Sequence, residues 1–275
     1  MKKIEKSAHF LRENSALFQC PVCQDDFLEV NSHQMICIQG HSFNLSKKGT
    51  VHFLLKQPHN DYGSEMLKSR RIIAQDGLWH PMLQEVFQTV SKKDGVHLDV
   101  GCGEGSHLHH LHEMGLEGLK IGFDISKDAI QLAAALYTEA FWSVADLARS
   151  PFASNAYDTI FNILSPSNYS EFDRLLKKGG QVIKVIPSER YLIEVRELTG
   201  NDEKPYSNQD VVEKFFDHYP GAEKISIQYK HDLKPSLAPL LVEMTPLGWN
   251  AAEQIDLKGL KSVTVEMEIL VGTKA

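Results

Sequence analysis

Between residues 95 and 190 the apolar positions come in short runs at a regular pitch. Val96, Leu98 and Val100 alternate with other residues, the pattern of a short buried strand. KIGFDIS (120–126), FWSVADL (141–147) and AYDTIFNIL (156–164) read as three further strands. LLKKGGQVIKVIP (175–187) reads as a helix end, a Gly-Gly turn and a fifth strand. Helical stretches lie between them, at 106–114 and 170–177 among others. Strands alternating with helices at this pitch predict an α/β fold with a parallel, Rossmann-like sheet. Residues 64–90 are helical by pattern, interrupted near Gly77 and Pro81. Beyond 187 a helix to about 198, another over 208–218, and strands over 224–233 and 262–272 predict an antiparallel pair that extends the sheet.

The first 58 residues have a different texture. DDFLEVNSHQMI (25–36) reads as a hairpin. Residues 43–45 and 51–55 read as two extended segments split by the basic turn Lys47-Lys48-Gly49, closing a small β module. QPHNDYG (57–63) is polar and turn-rich, a linker. The expected division is a module over 1–58, linker and helices over 59–94, and the α/β domain over 95–275.

Three of the four cysteines crowd into the small module as Cys20-x₂-Cys23, then Cys37, then His41. The two-residue gap lets Cys20 and Cys23 turn back on one ion, and Gly40 eases a second knuckle that carries Cys37 and His41. Four such ligands suit one tetrahedral zinc and leave no open position, so the zinc is expected to be structural. A coincidental thiol cluster is the alternative, and His33 competes with His41 as fourth ligand.

In the larger domain, Asp99 precedes three glycines spaced G-x-G-x-G at Gly101, Gly103 and Gly105. Glycine lets a loop turn tightly and approach a ligand with its backbone. A dinucleotide fold wants G-x-G-x-x-G. The spacing here, with an acid just before the first glycine, resembles that of S-adenosylmethionine (SAM) methyltransferases. Asp124 closes the second strand at the distance where an acid meets a ribose, and Asp146 closes the third. Ligands of such sheets sit at the carboxyl ends of the strands, so Asn162, Ser165 and Asn168 after the fourth strand are candidates to hold a substrate. Asp158 joins Asn162 and Ser165 as a candidate for the proton chemistry. Cys102 reads as a small loop residue, and the histidines at 107, 109, 110 and 112 lack an acid or cysteine to complete a metal site.

Composition narrows the class. No run approaches 18 apolar residues, and the N-terminus lacks an apolar core with a cleavage site, so a cytoplasmic protein without a membrane span is expected. Net charge is −7, which excludes a uniformly basic nucleic-acid binder. Residues 1–93 nevertheless carry 12 Lys+Arg against 9 Asp+Glu, and the remainder 17 against 27. Lys47, Lys48, Lys56, Lys68, Arg70 and Arg71 are therefore candidates for phosphate contacts or ordinary solvated charge.

Residues 95–190 resemble a class I SAM-dependent methyltransferase. Over nearly the whole chain the sequence resembles the RlmA/TlrB family of bacterial 23S rRNA (guanine-N1-)-methyltransferases. The resemblance rests on the C-x₂-C…C-x₃-H module, Lys48-Gly49-x-Val51, Glu65-Met66 with Arg70-Arg71, and LDVGCGEG (98–105). It continues through FDIS (123–126), Ser165-Pro166 with Glu171, Gly179-Gly180 and MTPLGW (244–249). It implies SAM as methyl donor, one structural zinc, and a 23S rRNA hairpin near the peptide exit tunnel as substrate. It also implies a homodimer whose zinc modules help form the RNA cleft. The family divides between two neighbouring guanines, and modification at one influences macrolide binding. Glu104 and Gly105 join the cofactor set through the glycine motif. Trp79 and Tyr191 stand where the family places cofactor contacts; Tyr191 replaces a histidine of some members. Leu164-Ser165-Pro166 replaces the frequent Tyr-Ala-Pro. The competing readings are a small-molecule methyltransferase with a zinc appendage and a non-catalytic RNA-binding protein.

Overall fold

The computed structural model describes residues 1–31, 33–56, 63–200, 207–245 and 255–275. It begins with a helix, α1 (Lys3–Glu13). Strands β1 (Phe27–Asn31), β2 (Gln34–Cys37) and β3 (Ser42–Asn44) form an antiparallel sheet in that order. A two-residue strand, β4 (Val51–His52), follows. Helices α2 (Ser64–Gln75) and α3 (His80–Thr89) lead into β5 (Val96–Val100), α4 (Ser106–Glu113), β6 (Leu119–Asp124), α5 (Lys127–Leu136) and β7 (Phe141–Val144). Then come β8 (Tyr157–Ile163), α6 (Tyr169–Leu175) and β9 (Leu176–Pro187). The chain ends with α7 (Ile193–Thr199), α8 (Gln209–His218), β10 (Glu223–Asp232), α9 (Ala238–Glu243) and β11 (Ser262–Thr273).

The large sheet has eight strands in the order β10-β11-β9-β8-β5-β6-β7-β4. Neighbours are parallel from β9 to β4, and β10 and β11 add the expected antiparallel pair. The chain runs outward from β5 through β6 to β7, then returns to place β8 on β5's other side. The order therefore reverses between β5 and β8, and the crevice at their carboxyl ends is where such sheets bind ligands. Both faces are covered, which is why the strands are apolar runs. Leu98, Val100, Ile121 and Phe123 pack in one core, and Phe161, Ile163, Ile183 and Val185 in the other.

Three features differ from the sequence expectation. The residues read as the end of the small module instead join the large sheet: Val51 and His52 pair in parallel with Ser143 and Val144, and Phe53 N–H donates to Val144 O at 2.8 Å. An isolated bridge from Val51 to Leu45 and ring contacts of Phe53 with Phe27 and Phe43 tie them back to the module. Helix α1 was not read from the sequence, although Ile4, Ala8 and Leu11 recur at helical spacing. It docks on the other domain, where Lys3 Nζ donates to the carbonyls of Ala134 and Ala135 at 2.7 and 2.6 Å, capping the end of α5. The Gly179-Gly180 turn is absorbed as an irregularity within β9, where Leu176 faces Tyr157 and Gln181 faces Thr159.

The two units thus share a core. Phe18 of the module lies 5.5 Å from Phe141 and 5.9 Å from Phe152, ring to ring, and Phe53 stacks on Phe18 at 6.3 Å. Pro81 sits in the first turn of α3, where its missing N–H costs nothing, so the helical interruption is at Gly77 alone. The linker at 57–62 and most of MTPLGW lie outside the described residues. No helix among the described residues is long and apolar enough to cross a membrane.

Candidate functional site

Cys20, Cys23, Cys37 and His41 converge, their ligand atoms all within 4.8 Å of one another. Each pair rides on a tight turn. Gln24 N–H closes the first on Cys20 O at 2.8 Å, with Gln24 at φ +65°, and Gly40 N–H closes the second on Cys37 O at 2.8 Å. Cys23 and Cys37 sulfurs lie 3.7 Å apart; His41 Nδ1 lies 3.7 Å from Cys20 and 3.4 Å from Cys37 sulfur. A tetrahedron with zinc–sulfur bonds of about 2.3 Å has sulfur–sulfur edges near ~3.8 Å, so the donor set fits one zinc. His33 is not in the cluster. Four protein ligands leave no position for substrate, and the centre is structural.

At the carboxyl ends of β5 and β6 lies a cavity of about 320 Å³. Its wall includes Gly101, Gly103, Asp124, Asp146, Ser165 and, from α2, Arg70. Gly101 has φ +70°, and a Cβ there would sit 2.7 Å from the Ser165 Cβ, so only glycine lets the loop after β8 close over the turn. Asp124 accepts from the Gly103 and Ser126 amides at 2.9 and 2.8 Å, which fixes its carboxylate at the cavity wall. Asp146 accepts from Ala148 N–H at 2.9 Å and lines the far side.

Asp99 is 2% exposed, and its Oδ2 is buried without a hydrogen-bond partner. Burial, reinforced by the Asp124 charge, pushes its carboxyl up to about 8. An orphaned buried carboxylate oxygen beside a glycine loop fits a cationic ligand group, as the methionine end of SAM carries. Glu104 instead turns inward and accepts from Ser106 Oγ at 2.6 Å. A Cβ on Gly105 would strike Trp142 at 2.8 Å, so this glycine serves packing. Trp79 and Tyr191 form a second layer behind the wall: Trp79 Nε1–H donates to Tyr191 Oη at 3.2 Å, and Trp79 is 1% exposed.

The substrate-side candidates separate. Ser165 lines the cavity and donates to Val100 O at 2.6 Å. Asn162 is fully buried beneath it, donating to Ser165 Oγ at 2.6 Å and Pro166 O at 2.9 Å. It therefore positions the loop. Leu164, at φ +55°, holds a backbone conformation uncommon for a side chain larger than glycine, on the cavity wall. Asn168 caps α6 through Glu171 N–H. Asp158 must be withdrawn from the reacting groups. It lies at the amino end of β8, on the opposite side of the sheet from the cavity, and its oxygens are taken by Lys92 (3.0 Å), Lys177 (2.7 Å) and Val96 N–H (2.8 Å).

Comparison with known proteins agrees with this geometry. Residues 91–227 match the model of a methyltransferase domain, and residues 18–59 that of the RlmA N-terminal zinc ribbon. The YxjB protein of Bacillus subtilis, provisionally named a 23S rRNA (guanine-N1-)-methyltransferase, is 37% identical, covering 94% of this chain and 98% of that protein. This chain belongs to the RlmA-type 23S rRNA (guanine-N1-)-methyltransferase family. A 23S rRNA (guanine(748)-N1)-methyltransferase of Streptomyces fradiae is 24% identical, covering 95% of this chain and 98% of that one. Among solved structures, the YcgJ protein of Bacillus subtilis covers 71% of this chain and 98% of its own at TM-score 0.50 and 14% identity. A Haemonchus contortus phosphoethanolamine N-methyltransferase, solved with S-adenosylhomocysteine, covers 78% of this chain and 59% of its own, also at 0.50 and 14%. These two share the fold.

As an RlmA-type enzyme the chain uses SAM and one zinc. One group of its site was not singled out from the sequence, and a second was read in another role. Lys184 on β9 is 3% exposed and donates to Asn162 Oδ1 at 2.7 Å and Ser165 O at 3.3 Å; burial pushes its ammonium down to about 8. A lone lysine inside the apolar run QVIKVIP was the available signal. Arg70, read as a phosphate candidate, lines the cavity at the carboxyl ends of β5 and β6.

Asp158→Asn checks the reassignment. Partial burial would raise this carboxyl, but the Lys177, Val96 and Lys92 hydrogen bonds outweigh it and hold it at about 2. Its folded value lies below the unfolded ~3.9, so its stabilisation is present above about pH 4 and lost as pH falls toward 2. Asp158→Asn is expected to lower stability at pH 7 by about 1–2 kcal/mol in a denaturant melt and to leave SAM affinity unchanged. A selective loss of turnover without loss of stability would restore it to the reaction.

Proposed function

We propose that this protein methylates the N-1 nitrogen of a guanine in 23S rRNA, within a hairpin near the peptide exit tunnel, and that it works in the cytoplasm as a homodimer. The observation that carries the reading is the fusion, in one core, of a Cys₃His ribbon with a SAM cavity. Relatives that this chain matches over 98% of their length are named for that reaction.

SAM supplies a methyl group activated by its sulfonium. This chain's residues have to bind, orient and exclude water. Asp99, buried just behind the wall, sets a negative charge under the cationic end, and Asp124 on the wall suits the ribose hydroxyls. The loop at Leu164-Ser165-Pro166, braced by Asn162 and Lys184, forms the wall that a substrate base would meet. Guanine N-1 lies on the edge used in pairing, so the base has to be unpaired or flipped out first. The N–C bond forms as the S–C bond breaks, and the N-1 proton is released. Alignment of the two atoms supplies most of the acceleration.

The test is methylation of 23S rRNA by the purified protein with labelled SAM, mapped by reverse transcription. N-1 methylation blocks base pairing, so the expected result is one new transcriptase stop in the exit-tunnel hairpin. SAM binding with no stop anywhere in 23S rRNA would overturn the proposal in favour of a small-molecule substrate.

A further inference from the structure

The cavity wall carries one cationic side chain among the described residues, Arg70 on α2. Its surroundings are acidic. Asp124 and Asp146 share the wall, and Asp99 and Glu104 are buried close behind it. Arg70 makes no hydrogen bond or ion pair with the other described residues. Its guanidinium instead lies 4.8 Å over the Trp79 ring, and Trp79 is locked by its hydrogen bond to Tyr191. Stacking fixes the plane of the guanidinium and leaves its N–H fork available. The fork is also next to the glycine loop: Arg70 Nε is 4.0 Å from where a Cβ on Gly103 would stand. The charge of Arg70 reaches the site's acids, pulling against the burial that raises Asp99, Glu104 and Asp124.

The methionine end of SAM carries three charges: a sulfonium and an ammonium, which suit the acids, and a carboxylate, which none of the acids can accept. A planar guanidinium is the group that pairs a carboxylate through two parallel N–H bonds. We propose that Arg70 is the carboxylate seat of the cofactor cavity, holding the α-carboxylate of SAM through a guanidinium pre-oriented on Trp79. Trp79 and Tyr191 then act on the cofactor through Arg70, as positioning residues in the second layer. The inference rests on the SAM cavity and not on which RNA is methylated. It also takes Arg70 away from the rRNA phosphates, because the side chain faces the cavity.

The experiment is calorimetric titration of the full-length zinc-loaded protein, without RNA, using three ligands: SAM, decarboxylated SAM and methylthioadenosine. Wild type is compared with Arg70→Gln and with Lys68→Gln, whose exposed ammonium pairs with Glu65 on the same helix. In Arg70→Gln the affinity for SAM is expected to fall about 10- to 100-fold, the range for one charge-assisted pair. Decarboxylated SAM and methylthioadenosine should bind as to wild type, which also reports an intact fold. Lys68→Gln should match wild type with all three. An equal loss for all three ligands in Arg70→Gln would overturn the proposal, making Arg70 a support of the cavity. So would SAM binding that is unchanged while rRNA binding weakens, or failure of the wild type to bind any of the three.

Discussion

Replacing Asp99 by alanine is expected to lower SAM affinity by two orders of magnitude or more and to abolish methylation, with the fold retained. Asp99 is the one acid of the site that is buried with an oxygen lacking a partner. Removing one member of a buried charge pair costs about 3–5 kcal/mol, because the other charge is stranded. The pH dependence gives the same test a second arm. Burial and the Asp124 charge push the Asp99 carboxyl up to about 8, so at neutral pH the free protein holds this proton. A cationic ligand favours the ionised form and expels it. SAM affinity should therefore climb by up to about tenfold per unit as pH rises toward 8 and level off above. Titrations in buffers of different ionisation enthalpy should show proton release below that point. In Asp99→Ala the slope should vanish with the affinity. Wild-type affinity in Asp99→Ala, or a flat pH profile in the native protein, would remove Asp99 from cofactor binding.

Cys20→Ser is expected to empty the metal centre and to lower the melting temperature of the entire chain. Structural zinc contributes about 10–16 kcal/mol to small ribbons, which cannot otherwise bury enough apolar surface. Here the consequence should travel. Phe18 and Phe53 belong to the same core as Phe141, Phe152 and Phe123, and α1 caps α5. A loss of only a few kcal/mol in that core already corresponds to roughly 10 °C for a domain of this size. Metal analysis should fall from one zinc per chain toward none, and calorimetry should show one transition shifted down. Two transitions, with the upper one at its native temperature, would mean that the ribbon and the methyltransferase domain are energetically separate.

Much of this was legible in the sequence because it rests on local rules. The zinc ligands declare themselves through two short gaps that only a knuckle satisfies. The five parallel strands declare themselves through apolar runs, and the turn at the cavity through spaced glycines. What escaped depends on pairing between distant segments. The two residues of β4 carry no information about β7, ninety residues away in the chain. Helix α1 shows one apolar face through Ile4, Ala8 and Leu11, but its docking through Lys3 on the carbonyls of Ala134 and Ala135 has no local signal. Asp158 illustrates the complementary error: an acid on the right strand was placed near the chemistry, but a strand has two ends, and residue 158 is at the amino one. Gly105 and Glu104 match the cofactor motif in sequence, yet one makes room for Trp142 and the other turns back to Ser106.

The pairing of β4 with β7 also bears on how such proteins change over time. An open sheet ends in a strand with unpaired amides and carbonyls, and here the neighbouring unit supplies the hem. The ribbon is not a cassette that can be exchanged at the linker. A recombinant carrying a foreign ribbon would have to bring a matching border for β7 and partners for Phe141 and Phe152. The two parts are obliged to diverge in step, and differences in target choice between relatives should accumulate by substitution within both halves of this seam.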